Sequence, residues 1–157
     1  MDLKLSSWER TTDAPILSMT AGDALRRATS KAPDQLALVE AAPEGMASLV
    51  GAARTDRRWT WAELERDALA CAGWLAARFA PGERICLWAP NVPEWVILQF
   101  GAALAGLVLA TANPALRAGE LRHVLRRSGA VALFHAGSFR GSDMAAIAAE
   151  AAPEDDD

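Results

Sequence analysis

Between Gly82 and Pro114 the chain alternates apolar runs with turn chemistry so regularly that few architectures can accommodate it. Arg84 to Trp88 is a short apolar run held between Pro81-Gly82 and Pro90-Asn91, the pattern of a buried strand. A helix follows. Asn91 stands three residues before Glu94 and reads as its cap, Pro93 falls inside the first turn, and Trp95, Leu98, Ala102 and Ala105 recur at helical spacing until Gly106. Leu107 to Thr111 is a second apolar run. Two strands joined by a helical crossover lie parallel with both faces covered, so the segment predicts one βαβ unit.

Trp95 to Ala112 also admits a rival reading, because its eighteen residues are interrupted only by Gln99, about the length of a membrane span. Gly101 and Ala105, four apart, would suit helix dimerisation in lipid. The stop at Gly106, the start at Asn91 and the lack of a flanking basic cluster favour a crossover helix packed closely on a sheet.

The unit repeats downstream. Ala118 to Ser128 predicts a helix with Leu121, Val124 and Leu125 inward and Gly129 just past its end, and Ala130 to His135 predicts a third strand. Upstream, Thr20 to Lys31 reads as a helix and Leu36 to Val39 as a strand, followed by a loop over 41–47. Residues 48–53 and 57–59 are weaker strand candidates, paired across Thr55-Asp56. Thr60-Trp61-Ala62-Glu63 is a capping box opening a long helix whose core stripe is Leu64, Ala68, Cys71 and Leu75. Met1 to Leu17 reads as an extended arm tethered by Trp8, and Met144 to Ala152 as a short helix before an acidic tail.

Composition narrows the function. A net charge of −4 over 157 residues gives no basic footprint for nucleic acid. Cys71 and Cys86 lack metal-ligand spacing, nothing at the N-terminus resembles a signal peptide, and the expected compartment is the cytoplasm. Both cysteines read as small buried hydrophobes. A mechanism needing lysine could use only Lys4 or Lys31.

Ligands of such sheets sit beyond the carboxyl ends of the strands, which nominates Pro90-Asn91, Ala112-Asn113 and His135-Ala136-Gly137. A phosphate turn at the first would need free amides and glycines. Pro90 and Pro93 lack N–H groups, and Glu94 places negative charge at the helix start. His135 with Ser138 or Ser142 would make a nucleophile pair, but neither serine has a glycine elbow, so a solvent-exposed loop is the better account. His123, among Arg122, Arg126 and Arg127, reads as an outer helix face.

Several motifs in register add a more specific reading. Trp59-Thr60-Trp61-Ala62-Glu63-Leu64 resembles the aromatic-Thr-aromatic-x-Glu-Leu motif of the AMP-forming acyl-CoA synthetase and adenylation-domain superfamily. Pro81-Gly82-Glu83-Arg84-Ile85, Ala89 to Trp95, and Leu104-Ala105-Gly106 through Ala112-Asn113-Pro114-Ala115-Leu116 resemble its next landmarks. Glu120-Leu121 and Ser128-Gly129-Ala130 continue the register, and Gly22-Asp23-Ala24-Leu25 with Pro33-Asp34 through Val39 fit the opening helix and strand. The resemblance covers roughly 18–135, and the tail from 141 onward is expected to depart from the family pattern.

The resemblance implies an α/β fold: a partial doubly wound parallel sheet (βαβαβ) with flanking helices, the N-terminal fragment of an adenylate-forming large domain. It implies an arm over 1–17, a partial synthetase domain over 18–140, and a short helix with an acidic tail over 141–157. Full-length members activate a carboxylic acid with ATP and Mg²⁺ to an acyl-adenylate and pass it to coenzyme A, with fatty or medium-chain acids the nearest substrates. The family's phosphate loop, adenine stretch, ribose-binding Asp and catalytic lysine lie downstream of the matched region, so no catalytic, cofactor-binding or metal residue is carried onto this chain. The expectation is an open reading frame cut short, inactive alone, binding no cofactor itself, with an uncovered sheet face and edge that invite self-association or a complementary synthetase fragment. The alternative is a non-catalytic module docking on a full-length synthetase, and a third reading is a small nucleotide-binding protein.

Overall fold

The structure is a computed structural model that describes residues 16–41 and 56–152. The readings on Trp8, on most of the arm, on the loop from 42 onward, on the strand at 48–53 and on the tail at 153–157 lie outside the described residues.

Helix α1 (Ala21–Lys31) starts at Thr20, whose hydroxyl accepts from the Asp23 amide while the Asp23 carboxylate accepts from the Thr20 amide, both at 3.1 Å. Strand β1 (Leu36–Val39) pairs antiparallel with β2 (Arg58–Thr60), Leu36 opposite Thr60 and Val39 opposite Arg58. The described partner of β2 is therefore β1.

Helix α2 (Trp61–Ala76) begins with the predicted capping box. The Glu63 amide donates to the Thr60 hydroxyl at 3.2 Å, and a Glu63 carboxylate oxygen accepts from the Thr60 amide at 2.8 Å. Two donors orphaned at the helix start are thus satisfied reciprocally. The bonds from the Thr60 amide and hydroxyl hold the Glu63 carboxyl below its usual range. Because its folded-state pKa is depressed, Glu63 contributes stability above the ordinary glutamate range and loses it as the pH falls through the lowered value. Thr60→Ala is expected to cost about 1 kcal/mol at neutral pH, and less once Glu63 is protonated. Urea midpoints of both proteins at about pH 7 and about pH 3 check this; an equal loss at both would contradict it.

The remaining elements are β3 (Arg84–Trp88), α3 (Pro93–Leu104), β4 (Val108–Ala112), α4 (Ala118–Ser128) and β5 (Ala132–His135), followed by a hairpin of β6 (Ser138–Phe139) and β7 (Ser142–Asp143) and by α5 (Met144–Ala151). β3 is the middle of a parallel sheet ordered β4-β3-β5. This is the expected βαβαβ arrangement, a partial doubly wound sheet.

Several boundaries differ from the sequence reading by one or two residues, β5 for example beginning at Ala132 rather than Ala130, and the two at the ends of α3 have a clear cause. Helix α3 is capped at Val92, without a side-chain bond, rather than by Asn91. Pro93 at the first helical position fixes a helical φ with no N–H to satisfy, so the helix can start there without a polar cap. At the other end, the Leu107 amide reaches back to the Ala102 carbonyl at 2.9 Å and the Gly106 amide to Ala103 at 3.3 Å, with Gly106 at φ 74°. That is a Schellman turn. It takes Leu107 into the helix stop, so β4 begins at Val108.

Alternation along β3 splits the core. Cys86 and Trp88 face one side, packed with Leu121 and Leu125 of α4 and with Met144 and Ala151 of α5. Ile85 faces the other, with Leu75 of α2, Ala102 of α3 and Leu107. Both faces of the central strand are covered, while the flanking strands β4 and β5 are only partly buried. α5 forms part of this core: Met144 and Ala151 are fully buried. Among the described residues no strand pairs with the outer edges of β4 and β5, and Val108 of β4 and Val131 just before β5 are 48% and 57% exposed.

The predicted core stripe of α2 holds at Leu64, Ala68 and Leu75, while Cys71 is half-buried. Gly101 does allow a close approach, but against α2 rather than the sheet: a Cβ there would stand 2.6 Å from Cys71 Sγ and 3.4 Å from the Ala68 carbonyl. The long apolar run read as a candidate span is cut at Leu104, and no described helix is long and apolar enough to cross a membrane.

Candidate functional site

The three carboxyl ends nominated by the sequence lie in one row, Trp88 beside Ala112 on one side and His135 on the other. The row is filled from within. Trp88 is fully buried, and its indole Nε1–H donates to the Asn113 carbonyl at 2.9 Å. The Asn113 side chain turns back to accept the Ala115 amide at 2.9 Å, a local turn bond of the kind asparagine favours. The His135 ring stands 6.3 Å from that of Trp88, and its Nδ1–H donates to the Ala136 carbonyl at 2.8 Å.

Neither serine completes a nucleophile pair with this histidine. Ser138 and Ser142 lie in the β6–β7 hairpin, where Ser138 stands opposite Asp143, and among the described residues no hydrogen bond joins His135 to them. Asp143 instead caps α5 by accepting the Ala146 amide at 3.0 Å. Burial pushes the thiols of Cys71 and Cys86 up from their ordinary value, which disfavours the nucleophilic thiolate.

The helix starts around the row are already neutralised. At α3, Pro93 has no amide to offer and Glu94 is ion-paired with Arg57, which also binds Glu40 at 3.0 Å. These two carboxylates, Glu40 first, hold the Arg57 guanidinium above its ordinary pKa, and Arg57 also stacks 5.4 Å over Trp59. At α4 a Glu120 carboxylate accepts the Arg117 amide at 2.9 Å. At either helix start a carboxylate is already in place, Glu94 at α3 and Glu120 at α4. Among the described residues no group of three or more His, Cys, Asp or Glu could hold a metal ion. Among the described residues around the row, the groups on offer are the carboxylates of Glu94 and Glu120 and the N–H-less Pro93.

The Arg57 cluster is what sequence reasoning missed. It joins β2 to the start of α3 through residues 17 and 37 positions apart, a distance at which single-sequence periodicity is silent. In the aromatic-Thr-aromatic motif, by contrast, each part makes a contact that holds the fold together. Trp59 is buried and donates to Asp67 at 2.9 Å, Thr60 caps α2, and the Trp61 carbonyl accepts the Thr29 hydroxyl at 3.2 Å.

Comparison with known proteins follows the same lines. The AMP-binding enzyme family model matches residues 25–157, so the match extends past 141 and the expected departure of the tail is not observed. The mitochondrial medium-chain acyl-CoA ligase of Macaca fascicularis is 31% identical over 140 residues, covering 88% of this chain and 21% of its own length. Among solved structures, a fatty acyl CoA synthetase of Mycobacterium tuberculosis aligns with TM-score 0.63 and 32% identity over 74% of this chain and 21% of its own. The N-terminal domain of FACL13, also from Mycobacterium tuberculosis, aligns with TM-score 0.64 and 32% identity, covering 74% of this chain and 27% of its own. The chain spans about one fifth of the length of the curated relatives it matches. From its motifs, its parallel sheet and these matches together, the chain belongs to the AMP-binding enzyme family.

Proposed function

We propose that this chain is the N-terminal scaffold portion of an AMP-forming acyl-CoA synthetase and performs no acyl activation by itself. The observation that carries the reading is the closed row of strand ends. Where an open α/β sheet takes its ligand, this one holds a buried Trp88 hydrogen-bonded to Asn113, flanked by helix starts already paired with Glu94 and Glu120. A completed enzyme would build its ATP, Mg²⁺ and coenzyme A sites from other residues, and this portion would support them from beneath. The relatives named above point to fatty acids, medium-chain ones included, as the acid class. The compartment we propose is the cytoplasm, where both free cysteines stay reduced.

The test is ATP–pyrophosphate exchange by the purified chain with Mg²⁺ and octanoate. No exchange above a blank is expected. Turnover on the order of 1 per second, typical of enzymes, would overturn the reading. A second reading, a non-catalytic module docking on a synthetase or on a complementary fragment, is favoured by the open edge of β5. It predicts capture of a synthetase by the immobilised chain. The third, a small nucleotide-binding protein, predicts heat on titration with ATP or AMP, and the neutralised helix starts argue against it.

A further inference from the structure

Strands β1 and β2 form a ribbon of their own, which no strand pairing joins to the β4-β3-β5 sheet. The ribbon rests on the helices through an apolar cluster that gathers its Trp59 and Leu38 with Leu64 of α2 and with Val96, Ile97 and Phe100 of α3. Apolar burial is non-directional, so this cluster holds the ribbon down without fixing where along α3 it sits. The ribbon is also slight. Its register shifts between Leu36 and Leu38, and Leu36 and Val39 are exposed. Two short strands alone have little stability.

Arg57 supplies what the apolar cluster lacks. Glu40 follows β1 and Arg57 precedes β2, and the Glu40 amide donates to the Arg57 carbonyl at 2.9 Å. The guanidinium then grips both oxygens of the Glu40 carboxylate, Nε at 3.0 Å and Nη2 at 3.3 Å, while Nη1 donates to Glu94. Among the described residues no other side-chain hydrogen bond or ion pair joins the ribbon to α3. Asp56, just before Arg57, lies at φ 43°, a left-handed conformation that residues with a Cβ seldom take and that depends on the bonds around it.

We propose that Arg57 is a salt-sensitive clasp. Closed, it fixes the ribbon on the start of α3; opened, it lets the ribbon detach as one unit while the parallel sheet stays folded. The Arg57 and Glu94 side chains are 40% and 58% exposed, so water and ions reach the link from outside and compete for it. Glu94 stands at the start of α3, beyond the carboxyl end of β3, so opening also frees a carboxylate beside the row of strand ends.

Amide hydrogen exchange on the whole chain reads the opening, with sodium chloride as the probe. The Glu40 amide and the Trp61 amide, which donates to the Gln35 carbonyl at 3.0 Å, report on the ribbon. The Val108 and Val131 amides, bonded to the carbonyls of Glu83 and Arg84, report on the parallel sheet. Raising the salt from about 0.05 M to about 1 M is expected to speed exchange at the two ribbon amides about threefold, with the sheet amides unchanged. Arg57→Ala should speed them about fivefold at low salt and remove the salt response. Glu94→Gln, at an exposed position, should by itself remove most of that response. Arg57→Lys keeps the charge but loses the fork that grips two carboxylates at once, and should fall between the native chain and the alanine variant. Ribbon amides that ignore salt in the native chain would overturn the proposal. So would equal acceleration at Val108 and Val131, because the link would then support the whole fold rather than the ribbon. A salt response that survives in both Arg57→Ala and Glu94→Gln would overturn it too, since other charges would carry it. Turnover plays no part in this readout, so the clasp and the scaffold reading stand or fall separately.

Discussion

Replacing Trp88 by alanine is expected to destabilise the fold by about 3–5 kcal/mol, the range for deleting a large buried aromatic side chain. Trp88 is fully buried: its side chain lies between the sheet and the α4–α5 layer, and its indole N–H donates to the Asn113 carbonyl. Truncation removes the packing of one whole face and the bond that fixes the turn after β4. Against a total stability of about 5–15 kcal/mol that is a large share. Trp88→Phe keeps most of the ring volume and loses the hydrogen bond, so a smaller cost of about 1–2 kcal/mol is expected. Urea unfolding followed by far-ultraviolet circular dichroism checks both, the midpoint shifting while the slope holds. A loss below about 1 kcal/mol for the alanine variant would show that this tryptophan is not a core support.

The second large effect belongs to Gly101, where α3 and α2 meet. Even a methyl there would sit 2.6 Å from Cys71 Sγ and 2.9 Å from its Cβ, closer than real Cβ contacts come. Gly101→Val is expected to cost about 3 kcal/mol or more, because the helices must separate and both are anchored at Ala68, Leu75 and Ala102 in the core. Gly101→Ala should cost less, since alanine regains up to about 1 kcal/mol of helix propensity. Cys71→Gly removes both close contacts and leaves only the Ala68 carbonyl at 3.4 Å. Combined with Gly101→Ala it should recover part of the loss, giving a favourable coupling of about 1 kcal/mol in a double-mutant cycle. Additive single effects, or a stabilising alanine at 101, would refute the close approach.

Much of the fold was legible because this chain punctuates itself. Arg84–Trp88 and Ala118–Ser128 have the bounds predicted for them, one held between two proline turns and the other ended by Gly129 at φ 63°. Thr60 and Glu63 announced a helix start through side chains acting within three residues. Where the deciding interaction was a backbone bond, the reading slipped, as at Leu107, whose place is set by its amide reaching Ala102. The β6–β7 hairpin was read as a loop because its turn is Arg140-Gly141, both at positive φ, without the Asn-Gly or Asp-Gly pair that usually marks such a turn. The candidate site was legible as a location, since strand ends follow from strand order. Its contents were not: that Trp88 would fill the row, and that Arg57 would pair with Glu94, depends on contacts between distant segments.

The order of the sheet also sets an order of assembly. Pairing β3 with β5, Ile85 beside Ala132, closes about twice as much chain as pairing β3 with β4, Arg84 beside Val108. Each doubling of a closed loop costs about 0.6 kcal/mol of entropy. During synthesis on the ribosome, the β3–β4 ladder and its intervening helix are complete before β5 has emerged. Within the three-stranded sheet β5 is therefore the last strand to be laid down, after the β3–β4 ladder has closed.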